Sequence, residues 1–184
     1  MRFEEVKMSN EWMKIEVYRG LKLTNLQKVR YRYLISSTNA VYLIRMMQKT
    51  NEIRFIGKIL SEYYRNKLIK KYGIFIGNET KIGIGLKLPH PNGIIIGEKV
   101  KIGNNCTIYQ QVTIGSSKIG DYLNGLQPQL GNNVILFAGS KIIGNIEIKN
   151  KTIIGANAVV NKNTEENSVY VGIPAKNIRT KIMN

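Results

Sequence analysis

The chain has one histidine, one cysteine, one tryptophan and four prolines in 184 residues. A lone cysteine excludes an internal disulfide framework and suits a reducing compartment. One cysteine and one histidine cannot build a structural zinc site, so no metal is expected. Long apolar runs are missing too. The uncharged stretch 33–44 is too short for a bilayer span, which needs about 20 apolar residues. The opening MRFEEVKMSNEW carries charge where a secretory signal would be apolar, so the expected location is cytoplasmic. Acidic residues are scarce, 12 against 28 Lys and Arg, for a net charge of +16. That imbalance favours anionic partners such as nucleic acid, anionic lipid, acidic glycans or a phosphate-rich cofactor. Nucleic acid is not expected, because no recognition motif occurs and aromatics are not interleaved with Lys and Arg in the second half.

What is present divides near Tyr72–Gly73. Residues 1–73 hold 16 basic and 6 acidic side chains, three glycines counting Gly73 itself, and no proline. Leu60, Tyr63, Tyr64, Lys67, Leu68 and Lys71 recur at helical spacing, as do Tyr33, Val41, Ile44 and Met47 before them. The spacing predicts a basic α-helical segment over 1–73. It is expected to cap the end of the following domain. A peripheral contact with anionic membrane is a further expectation from its charge.

From residue 74 onward an aliphatic side chain returns every six positions. The series runs Ile76, Ile82, Leu88, then after a two-residue slip Ile96, Ile102, Ile108, Ile114, and later Leu130, Leu136, Ile142, Ile148, Ile154, Val160. Glycine often follows it. A small or β-branched residue stands four places on, at Thr80, Val100, Cys106, Val112, Val134, Ser140, Thr152 and Ala158. Such a period means a short strand and a turn per repeat, three repeats closing one triangular coil. Stacked coils share one core, with glycine and asparagine at the tight corners. The stretch of about 116–129 exceeds one repeat and is expected to loop out. Cys106 occupies an inward small-residue position and reads as core.

Three stretches carry a resemblance: LPHPNGIIIGEKVKIGNNCTIYQQVTIG at 88–115, GNNVILFAGSKIIGNIEIKNKTIIGANAVV at 131–160, and VGIPAKNI at 171–178. They are similar to the left-handed β-helix acyltransferases, specifically the serine acetyltransferase type and its relatives that acetylate capsular or exopolysaccharide sugars. The resemblance covers a little over half the chain. It implies a mainly β fold, a left-handed parallel β-helix of hexapeptide repeats over 74–184, following the α-helical segment. It implies acetyl-CoA as donor and a homotrimer with active sites between subunits.

Residue by residue, the resemblance places His90 as general base. Imidazole is largely neutral at pH 7 and can take a hydroxyl proton as the oxygen attacks a thioester. For the cofactor it implies Gly115, Ser116, Ala138, Gly139 and Ala156, with Lys176 meeting a phosphate. A backbone N–H near Gly115 is expected to stabilise the oxyanion. Glu79 and Glu98 are the nearest carboxylates in sequence that could orient His90. Three places depart from the serine acetyltransferase pattern. Pro89 replaces the acidic residue before the base. Leu126-Gln127-Pro128-Gln129 replaces an Arg-His-Pro-Lys stretch. Phe75 stands near the place of a carboxylate that steadies the base. Asn92, Gln111 and Gln127 therefore suggest a hydroxyl-rich sugar as acceptor. The expected function is O-acetylation of a capsular or exopolysaccharide sugar, with serine O-acetylation or a non-enzymatic trimeric solenoid as alternatives.

Overall fold

The computed structural model describes residues 11–178. Residues 1–10, part of the expected basic segment, lie outside the described residues.

Three helices come first: α1 (Asn25–Val29), α2 (Ser36–Asn51) and α3 (Gly57–Tyr72). A helical turn, Met13–Val17, precedes them. Thr24 caps α1 by accepting from the Gln27 backbone N–H, while the Gln27 side chain accepts from the Thr24 N–H. Helix α3 stops at Gly73, whose φ of 61° is the left-handed conformation that suits glycine past a helix end. Val41, Ile44 and Met47 are buried on α2 as the spacing predicts. On α3 the buried stripe is Gly57, Ser61, Leu68 and Tyr72, whereas Tyr63, Lys67 and Lys71 are exposed. The stripe advances by four, seven and four, and Tyr63, Lys67 and Lys71 lie off it.

Residues from Phe75 onward wind as a left-handed β-helix with three parallel faces. The first face holds β1 (Phe75–Ile76), β3 (Ile95–Ile96), β6 (Thr113–Gly115), β9 (Lys141–Ile143) and β12 (Val159–Val160). The second holds β2 (Lys81–Ile82), β4 (Lys101–Ile102), β7 (Gln129–Leu130) and β10 (Glu147–Ile148). The third holds β5 (Thr107–Ile108), β8 (Ile135–Leu136), β11 (Ile153–Ile154) and β13 (Val169–Val171), closed by the antiparallel β14 (Lys176–Asn177). All thirteen periodic aliphatics are buried, and so are the eight residues four places on. Ile76 stacks on Ile96, then Ile114, Ile142 and Val160, each in register. The helices join this stack. Ala40, Val41, Leu43, Ile44, Met47, Leu68 and Tyr72 share one core with Ile74, Ile76 and Ile82.

The glycines after the aliphatics serve a purpose other than the expected one. Gly83, Gly103 and Gly131 do not have positive φ. Instead a Cβ on each would meet an asparagine Oδ1 of the next coil at 2.3, 2.6 and 2.5 Å. Those oxygens belong to Asn104, Asn132 and Asn150. They accept from the backbone N–H groups of Ile84, Asn104 and Asn132 at 2.9, 2.7 and 2.8 Å. Glycine makes room for an asparagine ladder, and the left-handed residues are Asn105, Asn133 and Lys151 beside it.

A buried ion pair fastens the helices to the solenoid. Arg45 of α2 donates to both Glu16 carboxylate oxygens and to the carbonyls of Ile82 and Gly83. Glu16 in turn accepts from the backbone N–H groups of Gly85 and Leu86.

Candidate functional site

His90 stands where the chain turns from the third face to the first. The same turn one coil later takes residues 109–112, and here it takes 89–94, so the two-residue slip is housed at His90. Pro89 and Pro91 fix φ on either side of the histidine, and each proline favours extended backbone in the residue before it. The Asn92 N–H closes the turn onto the His90 carbonyl at 2.9 Å. The imidazole is thus held out on an exposed bulge. Its ring lies 6.0 Å from Tyr109, which stacks on Phe137 at 5.1 Å one coil further. Phe137 was not marked by the period, because it is an outward residue and period analysis sees only the inward ones.

Several predicted residues share this corner. The Gln111 N–H donates to Asn92 O, Gly139 N–H to Gln110 O, and Asn157 N–H to Ala138 O. At the top, Val159 N–H donates to Gly172 O and Ala175 N–H to Val159 O. Asn92, Gln111, Ala138, Gly139 and Ala156 therefore rise in one column from His90 toward Gly172–Ala175, with exposed Lys176 next. Four steps of about 4.8 Å make the column roughly 19 Å long. Gly139 is buried at φ 71°, and a Cβ there would meet Asn157 Oδ1 at 2.1 Å. Lys141 Nζ reaches across to the Gln111 carbonyl at 2.7 Å.

Other predicted residues stand elsewhere. Gly115 and Ser116 lie at the far edge of the first face, where it turns toward the second. Gln111 to Gly115 is four extended residues, roughly 13 Å. A Cβ on Gly115 would meet nothing within 4 Å, so this edge has open space beside it. The looped-out stretch emerges here, with the short helical turn Asp121–Asn124 pinned by Asp121 accepting from the Lys118 N–H. Gln127 closes the loop, 2 % exposed, its Oε1 against Gly97 and without a protein partner. Within one chain, Gln127 therefore does not share a surface with Asn92 and Gln111. Glu79 and Glu98 also stand at this loop corner, Glu98 accepting from the Glu79 N–H at 3.1 Å. Neither is placed to orient the His90 of its own chain. Cys106 is buried, and desolvation pushes its thiol up to about 11, consistent with a packing role. Among the described residues no group of three or more His, Cys, Asp or Glu is placed to hold a metal ion. No helix among them is long and apolar enough to cross a membrane.

The bacterial transferase hexapeptide family (six repeats) matches residues 127–162. The serine acetyltransferase of Staphylococcus epidermidis is 45% identical over 102 residues, 55% of this chain and 47% of that protein. The chain thus spans about half the length of the curated relatives it matches. The crystal structure of Neisseria gonorrhoeae serine acetyltransferase superposes with a TM-score of 0.75 at 27% identity, covering 95% of this chain and 66% of that one. A serine acetyltransferase in complex with CoA gives 0.71 at 27%, covering 91% and 66%.

These likenesses overturn the expected sugar acceptor and, with it, the capsule and exopolysaccharide role. The relatives are serine acetyltransferases, and the departures at Pro89 and Leu126–Gln129 are local within a long match. The chain is thus similar to serine acetyltransferases in sequence over about half its length, and residues 127–162 match the hexapeptide transferase repeat.

Proposed function

We propose that this protein transfers an acetyl group from acetyl-CoA to the hydroxyl of serine. The chemistry is carried by one observation: an exposed imidazole at the foot of a corner column of small residues that leads to Lys176. The acceptor is supported by the likeness to serine acetyltransferases.

Bound acetyl-CoA would supply a thioester already activated toward acyl transfer. Ala138 and Ala156, small side chains on either side of buried Gly139, leave room along the column for an extended arm, and Lys176 offers a cation to its phosphate end. His90 takes the proton from the serine hydroxyl as that oxygen bonds to the acetyl carbon. It returns the proton to the departing sulfur. Tyr109, backed by Phe137, walls the imidazole on one side.

Gly115, Ser116 and Gln127 stand across the first face from His90, so they act on the same substrate only when a second copy presents its loop corner to this His90 corner. Three copies arranged head to tail close such contacts into a ring, and the active unit is a homotrimer.

Thiol release from acetyl-CoA, followed with free serine, tests the reading. Release should require serine and fall by about 10²- to 10⁴-fold in His90→Ala, while acetyl-CoA still binds. Serine-independent release, or full activity in His90→Ala, rejects it.

A further inference from the structure

The helical cap carries an outward apolar apex that the reaction above does not use. It lies at residues 52–57, where the chain turns from α2 to α3. The base of this turn is tied down. Ile53 N–H donates to Thr50 O at 3.0 Å, and Asn51 Nδ2 donates to Asn78 O of the solenoid at 3.4 Å. Gly57 lets α3 start hard against α2, since a Cβ there would meet Thr50 O at 2.3 Å. Above this base the side chains are apolar. Phe55 is 93% exposed, Ile59 72% and Ile56 59%, with Ile53 beside them. Phe55 also stands in left-handed backbone at φ 63°, which glycine adopts freely and a bulky residue does not. An aromatic held outward against its backbone preference points to a contact surface.

Cations surround the apex. Residues 49–71 carry seven Lys and Arg against Glu52 and Glu62, and Glu62 is engaged by Arg65 at 3.3 Å and Asn78 at 3.2 Å. Lys49, Arg54 and Lys58 flank the apex, and Lys67 and Lys70 follow on α3, all exposed. Arg54 lies over the Phe55 ring at 5.9 Å and Lys67 over Tyr63 at 4.5 Å, so cation and ring face outward together. Two such apices brought together would set cation against cation, so the charge argues against a second copy as occupant. With Phe55 so exposed the apex is convex, a shape that enters a soft surface rather than receives a peptide. Apolar side chains ringed by Lys and Arg match the interface of an anionic bilayer.

We propose that this apex docks the protein on an anionic phospholipid bilayer. Phe55, Ile56 and Ile59 enter the interface, and Lys49, Arg54 and Lys58 meet the phosphate headgroups. Groups of this size reach the headgroup boundary only, so the attachment is peripheral and reversible. In the proposed homotrimer the caps lie at one end of side-by-side solenoids, so three apices touch one surface and their weak contacts multiply. Gly93 N–H donates to Tyr72 O, so the coil of His90 adjoins the cap and the column rises away from it. The path toward Lys176 therefore stays open in the docked protein, whichever acceptor is used.

Sedimentation of the full-length protein with vesicles provides the test. One set is phosphatidylcholine alone, the other phosphatidylcholine and phosphatidylglycerol in equal parts. Wild type should bind the anionic vesicles and not the neutral ones. Phe55→Ser/Ile56→Ser keeps every charge and should bind about tenfold or more weakly. Lys49→Gln/Lys58→Gln should also lose about tenfold or more. Lys151→Gln/Lys162→Gln removes as much exposed charge from the far coils and should bind as wild type. Phe55→Trp should bind as wild type, and its emission should move to the blue with anionic vesicles, because Trp12 is already buried. Equal binding by wild type and Phe55→Ser/Ile56→Ser would reduce the contact to general charge attraction and overturn the proposal. So would a wild type that stays in solution, including the case in which the same substitutions split a larger assembly and so name a second copy as the occupant.

Discussion

A methyl group added at Gly103 would lie 2.5 Å from Gly131 O and 2.6 Å from Asn132 Oδ1. Neither atom can retreat, since both belong to the ladder that ties coil to coil. Gly103→Ala should therefore lower stability by about 1–3 kcal/mol, read from urea unfolding, as overpacking does elsewhere. Gly115→Ala offers the opposite outcome from the same chemical change. Its Cβ meets nothing within the chain, so unfolding should be unaffected while KM for acetyl-CoA rises. Unfolding and kinetics measured on both variants separate glycine that makes room for the fold from glycine that makes room for a cofactor.

Arg45 couples one element to another, and its loss belongs to that scale. Removing the guanidinium leaves Glu16 charged and buried, against two backbone N–H groups that alone cannot replace its ion pair. Arg45→Ala should lose about 3–5 kcal/mol, visible as a lowered thermal midpoint. The pairing was not legible in the sequence. Its partners are 29 residues apart, and no period links a helical turn to a helix. The one available signal was a charged residue four places after buried Val41. The solenoid was legible because its inward residues obey a strict interval, from Ile76 to Val160. The bulge at His90 was legible as a slip in that interval. The separation of Gln127 from Asn92 and Gln111 was not, because a repeat tells which residues point inward but says nothing of which corner an outward one joins. The same blindness hid Phe137.

At the scale of the whole molecule, the residues proposed to act in transfer fall on two edges of one face of a single chain. Two inactive variants should then rescue each other. His90→Ala chains mixed with Gln127→Ala chains, unfolded and refolded together, should regain part of the wild-type thiol release. Mixed rings contain some junctions that draw His90 from a Gln127→Ala chain and Gln127 from a His90→Ala chain. Activity that stays at the level of the separate variants would place both residues in one chain's site.

The three-faced winding has a consequence for how this chain can change length. Leu136 and Ile154 lie in register one coil apart, and eighteen residues separate them. An insertion or deletion of eighteen residues adds or removes one whole storey and returns every later side chain to its own face. A change of six turns everything downstream by a third of a revolution, and the corner bearing His90 no longer aligns with the column above it. The protein's tolerance of length change within the regular coils is therefore quantised, while the bulge at His90 and the looped-out stretch at 116–129 take up extra residues outside the repeat.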